Sequence, residues 1–134
     1  MILGIGIDLI GIDRVRNVFL KFKTKFVDRT LSQEEKSLFF CLATEEKRVK
    51  FLAKRFSLKE SFVKALGIGL GRGLDMSDIS ALHDEYGKPK IVVAVPKHRI
   101  IENIFGRNMK NLNFLVTATD QDGTIGSFVI IEEI

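Results

Sequence analysis

Two carboxylates and a lysine carry the chemistry that this sequence can offer. Asp8 closes the run Ile2-Leu3-Gly4-Ile5-Gly6-Ile7-Asp8, and Glu60 and Lys64 lie one helical turn apart in Arg55-Phe56-Ser57-Leu58-Lys59-Glu60-Ser61-Phe62-Val63-Lys64-Ala65-Leu66-Gly67. Glu60 falls on the edge of an otherwise apolar helical stripe, where a carboxylate is costly unless something positive meets it. It has two readings. One is an i,i+4 salt bridge to Lys64, which contributes about 0.2–0.5 kcal/mol on an exposed helix. The other is a metal ligand or acid/base group, with Lys59 and Lys64 serving an anionic ligand. Asp8 has two readings as well: a strand-end acid beside a glycine packing notch, or a ligand facing space that Gly4 and Gly6 clear. Taken together, two carboxylates without a histidine cluster suit a hard, oxygen-preferring cation such as Mg²⁺.

The elements that must position these groups are legible. Residues 2–10 alternate as a strand, with Leu3, Ile5, Ile7 and Leu9 on one face and Ile2, Gly4, Gly6, Asp8 and Ile10 on the other. Residues 44–66 read as one long helix. Thr44 is its N-cap, Glu45 and Glu46 face the positive end of the dipole, and Gly67 stops it. Val49, Leu52, Ala53, Phe56, Val63 and Gly67 form its buried stripe, widened by Leu58, Phe62 and Leu66. Residues 12–22 form a short helix with Ile12, Val15, Val18, Phe19 and Phe22 inward. Arg14, Arg16, Lys21, Lys23 and Lys25 make a positive face, either solvated or a docking surface for an acidic protein. Ser32-Gln33-Glu34-Glu35 is a capping-box pattern that starts a helix running to about Leu42. Gly67-Ile68-Gly69-Leu70-Gly71-Arg72-Gly73 is a glycine-rich loop without a Walker A or dinucleotide pattern, whose amides and Arg72 could meet a phosphate. Residues 79–82 and 90–95 pair through a turn at Tyr86-Gly87-Lys88-Pro89, Pro96 leads a short helix, and residues 114–119 and 124–131 form a hairpin around Asp122-Gly123. The fold class is α+β, a mainly antiparallel sheet packed on a long central helix.

The chain has 134 residues, 46% hydrophobic and 28% charged, which predicts one domain over residues 1–134 with a sizeable core. A net charge of +4 favours an acidic partner or a phosphate ligand. No nucleic-acid motif and no interleaved aromatics accompany the basic stretches, so nucleic acid is not an expected partner. Cys41, the one cysteine, excludes an internal disulfide and reads as a small core residue. There is no span of membrane length and no signal-peptide pattern, so a cytoplasmic location with no membrane partner is expected.

In this order, Gly4-Ile5-Gly6-Ile7-Asp8 with Arg14, Arg55-Phe56-x-x-Lys59-Glu60-x-x-x-Lys64-Ala65-x-Gly67, the following Gly-x-Gly, Asp78-Ile79 and Gly87-Lys88-Pro89 resemble the holo-acyl-carrier-protein synthase family of phosphopantetheinyl transferases. The resemblance covers nearly the whole chain. It implies the 4′-phosphopantetheinyl transferase fold and transfer of the 4′-phosphopantetheine arm from coenzyme A to a serine of apo-acyl carrier protein for fatty acid biosynthesis. It also implies a homotrimer with active sites at subunit contacts. By the same resemblance Asp8 and Glu60 hold Mg²⁺, Glu60 and Lys64 are catalytic, and Lys64, Gly67, Gly69, Arg72, Lys88, Pro89 and Thr117 meet coenzyme A. Arg14, with Arg16 and Lys21, docks the carrier protein. A metal-bound water, Glu60 and a group on the carrier protein remain alternative general bases. The family's Ser-x-Ser/Thr-His pattern corresponds to Leu115-Val116-Thr117-Ala118, so Ala118 stands where the histidine would contact coenzyme A, and Lys88 or Arg72 would compensate. The rival reading is a non-catalytic carrier-protein or nucleotide-binding module of the same fold.

Overall fold

Two glycines let the long helix lie directly on the first strand. In the computed structural model, which describes residues 1–134, strand β1 (Ile2–Gly11) crosses helix α4 (Glu45–Leu66) with Gly4 against the Ala65 carbonyl and Gly6 against the Ser61 carbonyl. A Cβ on Gly6 would sit 1.8 Å from Ser61 O, and one on Gly4 2.0 Å from Ala65 O. The space these glycines clear beside Asp8 is therefore filled by helix backbone rather than left for a ligand. Their i,i+2 spacing on the strand matches an i,i+4 spacing on the helix, so both contacts form at once.

Around this contact the chain runs α1 (Ile12–Phe22), α2 (Thr24–Thr30) and α3 (Gln33–Phe40), then α4, β2 (Ile79–His83), β3 (Pro89–Val93), α5 (His98–Phe105), β4 (Leu112–Gln121) and β5 (Thr124–Glu133). Short 3₁₀ turns precede β2, α5 and β4, the first at Met76–Asp78. The strands form two antiparallel sheets, one in the order β1-β5-β4 and one of β2-β3. The β4–β5 turn is Asp122-Gly123 with φ of 53° and 76°, the left-handed pair that a two-residue hairpin loop requires. Thr44 accepts from Lys47 N at the start of α4, Gly67 ends it at φ 75°, and Ser32 and Glu35 form the expected capping box on α3.

The core has two parts joined by α4. Phe62, Val63 and Leu66 pack with β2, β3, α5 and the main sheet, while Val49, Leu52 and Ala53 pack with Val15, Val27 and Phe39. The helix is covered more completely than its apolar pattern predicts, because Arg55, Ser57, Lys59 and Ser61 are buried too. Ser57 and Ser61 meet Ser127 of β5 through hydroxyl hydrogen bonds, which tie the middle strand of the sheet to the helix. Beyond its exposed first turns, the helix leaves Phe56 and Glu60 half-buried and Lys64 exposed along one strip, with Lys54 half-buried as well.

Several expectations change. Helix α2 was not anticipated; Lys23 at φ 49° breaks the chain after α1 and a new helix begins. That break leaves Phe22 exposed rather than inward. Cys41 is exposed because α3 stops at Phe40, so only Phe39 of its apolar run turns into the core. A register shift between Ile2 and Gly4 turns Leu3 toward the core, away from the face of Ile5, Ile7 and Leu9. No helix is long and apolar enough to cross a membrane.

Candidate active site

The β1–α4 contact sets Asp8 against the uncovered strip of α4. Lys64 Nζ donates to Asp8 Oδ1 at 3.2 Å and to the Ile7 carbonyl at 3.1 Å. The i,i+4 partner expected for Glu60 is thus bound to Asp8 instead. The other oxygen, Asp8 Oδ2, is buried and has no hydrogen-bond partner. A carboxylate oxygen in that position calls for a cation or a strong donor from a ligand. Partial burial, and then the negative charge of Asp8, push the Glu60 carboxyl above its ordinary range, with Lys64 opposing. A carboxyl raised by a neighbouring carboxylate in this way fits a shared divalent ion. No third histidine, cysteine or acid joins them, so the chain itself supplies a two-carboxylate site.

Asp8 and Glu60 open onto a cavity of about 350 Å³ that Arg14, Val18, Phe26 and Phe56 help to line. Glu60 also lines a larger groove, about 1140 Å³, to which α2 contributes Phe26, Arg29 and Thr30 and the segment before β2 contributes Gly71, Asp75 and Met76. Arg14, Asp8, Glu60 and Lys64 are therefore brought together. Sequence reasoning missed the groove wall from α2, although the apolar spacing of Phe26, Val27 and Leu31 was a usable signal.

The other expected residues lie apart. Gly67 ends α4, while Gly69 and Arg72 are exposed in the loop beyond it. Lys88 sits at the exposed tip of the β2–β3 turn and Pro89 opens β3; neither lines the cavity or the groove. Thr117 pairs with Phe128, which pairs with Ile7, so it points to the sheet face opposite Asp8. Ala118 shares a cross-strand row with Ser127 and Asp8 and packs against the main core. Ala118 is half-buried, so a histidine there would have to fit beside the core. Arg16 is committed within the chain, to Asp13 and, through a bidentate pair of 2.9 and 3.0 Å, to Glu46. It is not a free docking charge, whereas Arg14 and Lys21 are exposed and make no ion pair. His83 is exposed, and His98 is half-buried with Nε2 2.9 Å from Val93 O.

Lys59 departs furthest from expectation. It is fully buried and donates to Glu35, Thr30 O and Met76 O, leaving no proton for a phosphate. Burial pushes its ammonium down to about 8, with Glu35 opposing.

The outer face of the three-stranded sheet is apolar and uncovered: Ile5, Ile7 and Leu9 are 57%, 67% and 74% exposed, and Leu115 lies on the same face.

Residues 4–116 match the sequence profile of the 4′-phosphopantetheinyl transferase superfamily. The chain is similar to the holo-[acyl-carrier-protein] synthase of Ehrlichia canis, 40% identical over 118 residues that cover 87% of this chain and 94% of that one. It is also similar to that of Staphylococcus haemolyticus, 50% identical over 91 residues, covering 68% and 76%. Among solved structures, the holo-[acyl-carrier-protein] synthase of Neisseria meningitidis superposes with a TM-score of 0.85 at 30% identity, covering 99% of this chain and 100% of that one. The Bacillus anthracis holo-(acyl-carrier-protein) synthase, solved in complex with coenzyme A (3′,5′-ADP), does so with 0.79 at 25% identity, covering 100% and 99%.

Proposed function

The chain belongs to the 4′-phosphopantetheinyl transferase superfamily and, within it, to the holo-[acyl-carrier-protein] synthases, and we propose that Asp8, Glu60 and Lys64 form the centre of its active site. The enzyme transfers 4′-phosphopantetheine from coenzyme A to apo-acyl carrier protein. The observation that carries the site assignment is the buried, unpartnered Asp8 Oδ2 beside Glu60 and Lys64.

Asp8 and Glu60 would hold Mg²⁺ through Oδ2 and the Glu60 carboxylate. When bound, the ion would offset the negative charge that develops on the pyrophosphate as the carrier's serine attacks. Lys64, exposed and one turn from Glu60, swings from Asp8 to the phosphoryl oxygens. Glu60, with its carboxyl raised, is also this chain's candidate to accept the serine proton. The glycine loop (Gly67, Gly69, Arg72) and the hairpin turn (Lys88, Pro89) receive the nucleotide end of coenzyme A, and Arg14 and Lys21 receive the acidic carrier protein. The apolar outer face packs against further copies of the chain in a homotrimer, so that Thr117, which lies on that face, meets the site of an adjoining copy. The product serves fatty acid biosynthesis in the cytoplasm.

The test is incubation with apo-acyl carrier protein, coenzyme A and Mg²⁺, followed by the mass of the carrier. One phosphopantetheine arm should be gained, and Asp8→Asn or Glu60→Gln should slow the reaction about 10²-fold or more with the fold retained. Unchanged rates in either variant, or in EDTA, would remove the metal assignment.

A further inference from the structure

We propose that Lys59 is a positioning residue: its ammonium ties together the two walls of the groove behind Glu60 and thereby sets the affinity for coenzyme A. This rests on the assignment of Glu60 to the active site. An ammonium has three protons to donate, and all are used inside the protein, on Thr30 O at 2.5 Å, Met76 O at 3.0 Å and Glu35 Oε1. Two of those acceptors belong to the groove itself. Thr30 ends α2, one wall, and Met76 lies in the 3₁₀ turn of the other. No hydrogen bond runs directly between residues 24–30 and 75–78, so Lys59 is their polar link. The Thr30 carbonyl is one of the acceptors that a helix C-terminus leaves open, and a cation is the favoured partner there.

Glu35 fixes the ammonium from behind. Its Oε1 also accepts from Ser32 N at 2.8 Å, its Oε2 accepts from Ala81 N at 3.1 Å, and Arg55 Nε is 3.8 Å from Oε2. The network thus joins α2, α3, β2 and the Met76 turn to the residue adjacent to Glu60. The groove spacing is referred to the same turn of α4 that carries the reacting centre. The groove is lined by Phe26, Phe56 and Met76 together with polar groups. Its apolar strip of Phe26, Phe56 and Met76 suits the extended, amide-bearing arm of coenzyme A, whose fit depends on the separation of the walls, while the charged Lys25, Asp28, Arg29 and Asp75 line the same groove.

Lys59→Met alone leaves Glu35 buried without its cation and can fail to fold. The deciding variants are therefore Lys59→Met combined with Glu35→Gln, which removes the pair, and Lys59→Arg, which keeps the charge but replaces the compact ammonium by a planar fork. Tm and steady-state kinetics are measured for each. The expected result in both is a KM for coenzyme A raised about tenfold, with kcat and the carrier KM within about twofold of wild type, because uniform binding rather than transition-state binding is lost. A coenzyme A KM at the wild-type value in either variant, whatever the Tm, makes Lys59 purely structural and overturns the proposal. A fall in kcat alone overturns it as well. Asp8→Asn in the same assay reports on the active-site assignment by itself, since its full activity would remove that reading whatever the Lys59 variants do.

Discussion

Replacing Gly6 by alanine should disable the enzyme from beneath, without touching a catalytic group. The added Cβ would lie 1.8 Å from Ser61 O and 2.7 Å from Ala65 N, both backbone atoms that no rotamer change can move. Ordinary contact begins at 3.4 Å, so β1 and α4 must separate by about 1.6 Å (3.4 − 1.8) at this point. Overpacking of this kind costs about 1–3 kcal/mol, and backbone against backbone belongs at the upper end. At roughly 3–4 °C per kcal/mol for a chain of this size, Tm should fall by about 10 °C. The same separation draws Asp8 from Glu60 and Lys64, and a misplacement of about 1 Å costs on the order of 10²-fold in rate. Gly11→Ala is the control: it ends the same strand with φ −78° and nothing within 4 Å, so the rate should stay near wild type and stability should fall only by the smaller loss of a favoured N-cap residue on α1. Thermal unfolding and transfer of the arm to apo-carrier protein measure both effects. A Gly6→Ala enzyme with wild-type Tm and rate would refute the claim that this backbone contact sets the site.

Two further outcomes are expected. Arg14→Glu should raise the KM for the carrier protein and flatten its salt dependence, whereas Arg16→Ala should leave carrier KM alone because that guanidinium is held by Asp13 and Glu46. At the β2–β3 turn, hydrogen bonds from the backbone of Lys88, aided by Tyr86, hold the Asp84 carboxyl below its ordinary 3.8. A carboxyl depressed on folding stabilises above its unfolded value and loses that contribution as pH falls through the folded one. The Tm gap between wild type and Asp84→Ala should therefore be open above about pH 4 and close below it; a gap that persists unchanged in acid would assign the effect to something other than ionisation.

Local patterns were enough for most elements. The capped start and glycine stop of α4, the capping box of α3 and the Asp122-Gly123 hairpin each depend on residues within a few positions of one another, so their signals survive in one dimension. Asp8, Glu60 and Lys64 could be picked out for a related reason, since charged groups on apolar periodic segments stand out without any coordinates.

What each neighbour does was decided only in three dimensions. A strand with two faces does not say which face a helix will take; here α4 took the glycine face because its backbone could approach there, and the more apolar side was left open. A lysine next to Glu60 does not say whether it faces a ligand. Lys59 turned inward because Glu35, 24 residues earlier, and the carbonyls of Thr30 and Met76 converge on it. Arg16 and Lys64 were likewise claimed by acids distant in the chain, Glu46 and Asp8. The sequence by itself thus determined which segments form and which groups can do chemistry. Only the tertiary structure decided which charges are spent inside the protein and which stay available at its surface, because a charge's partner is set by long-range packing rather than by its position in the chain.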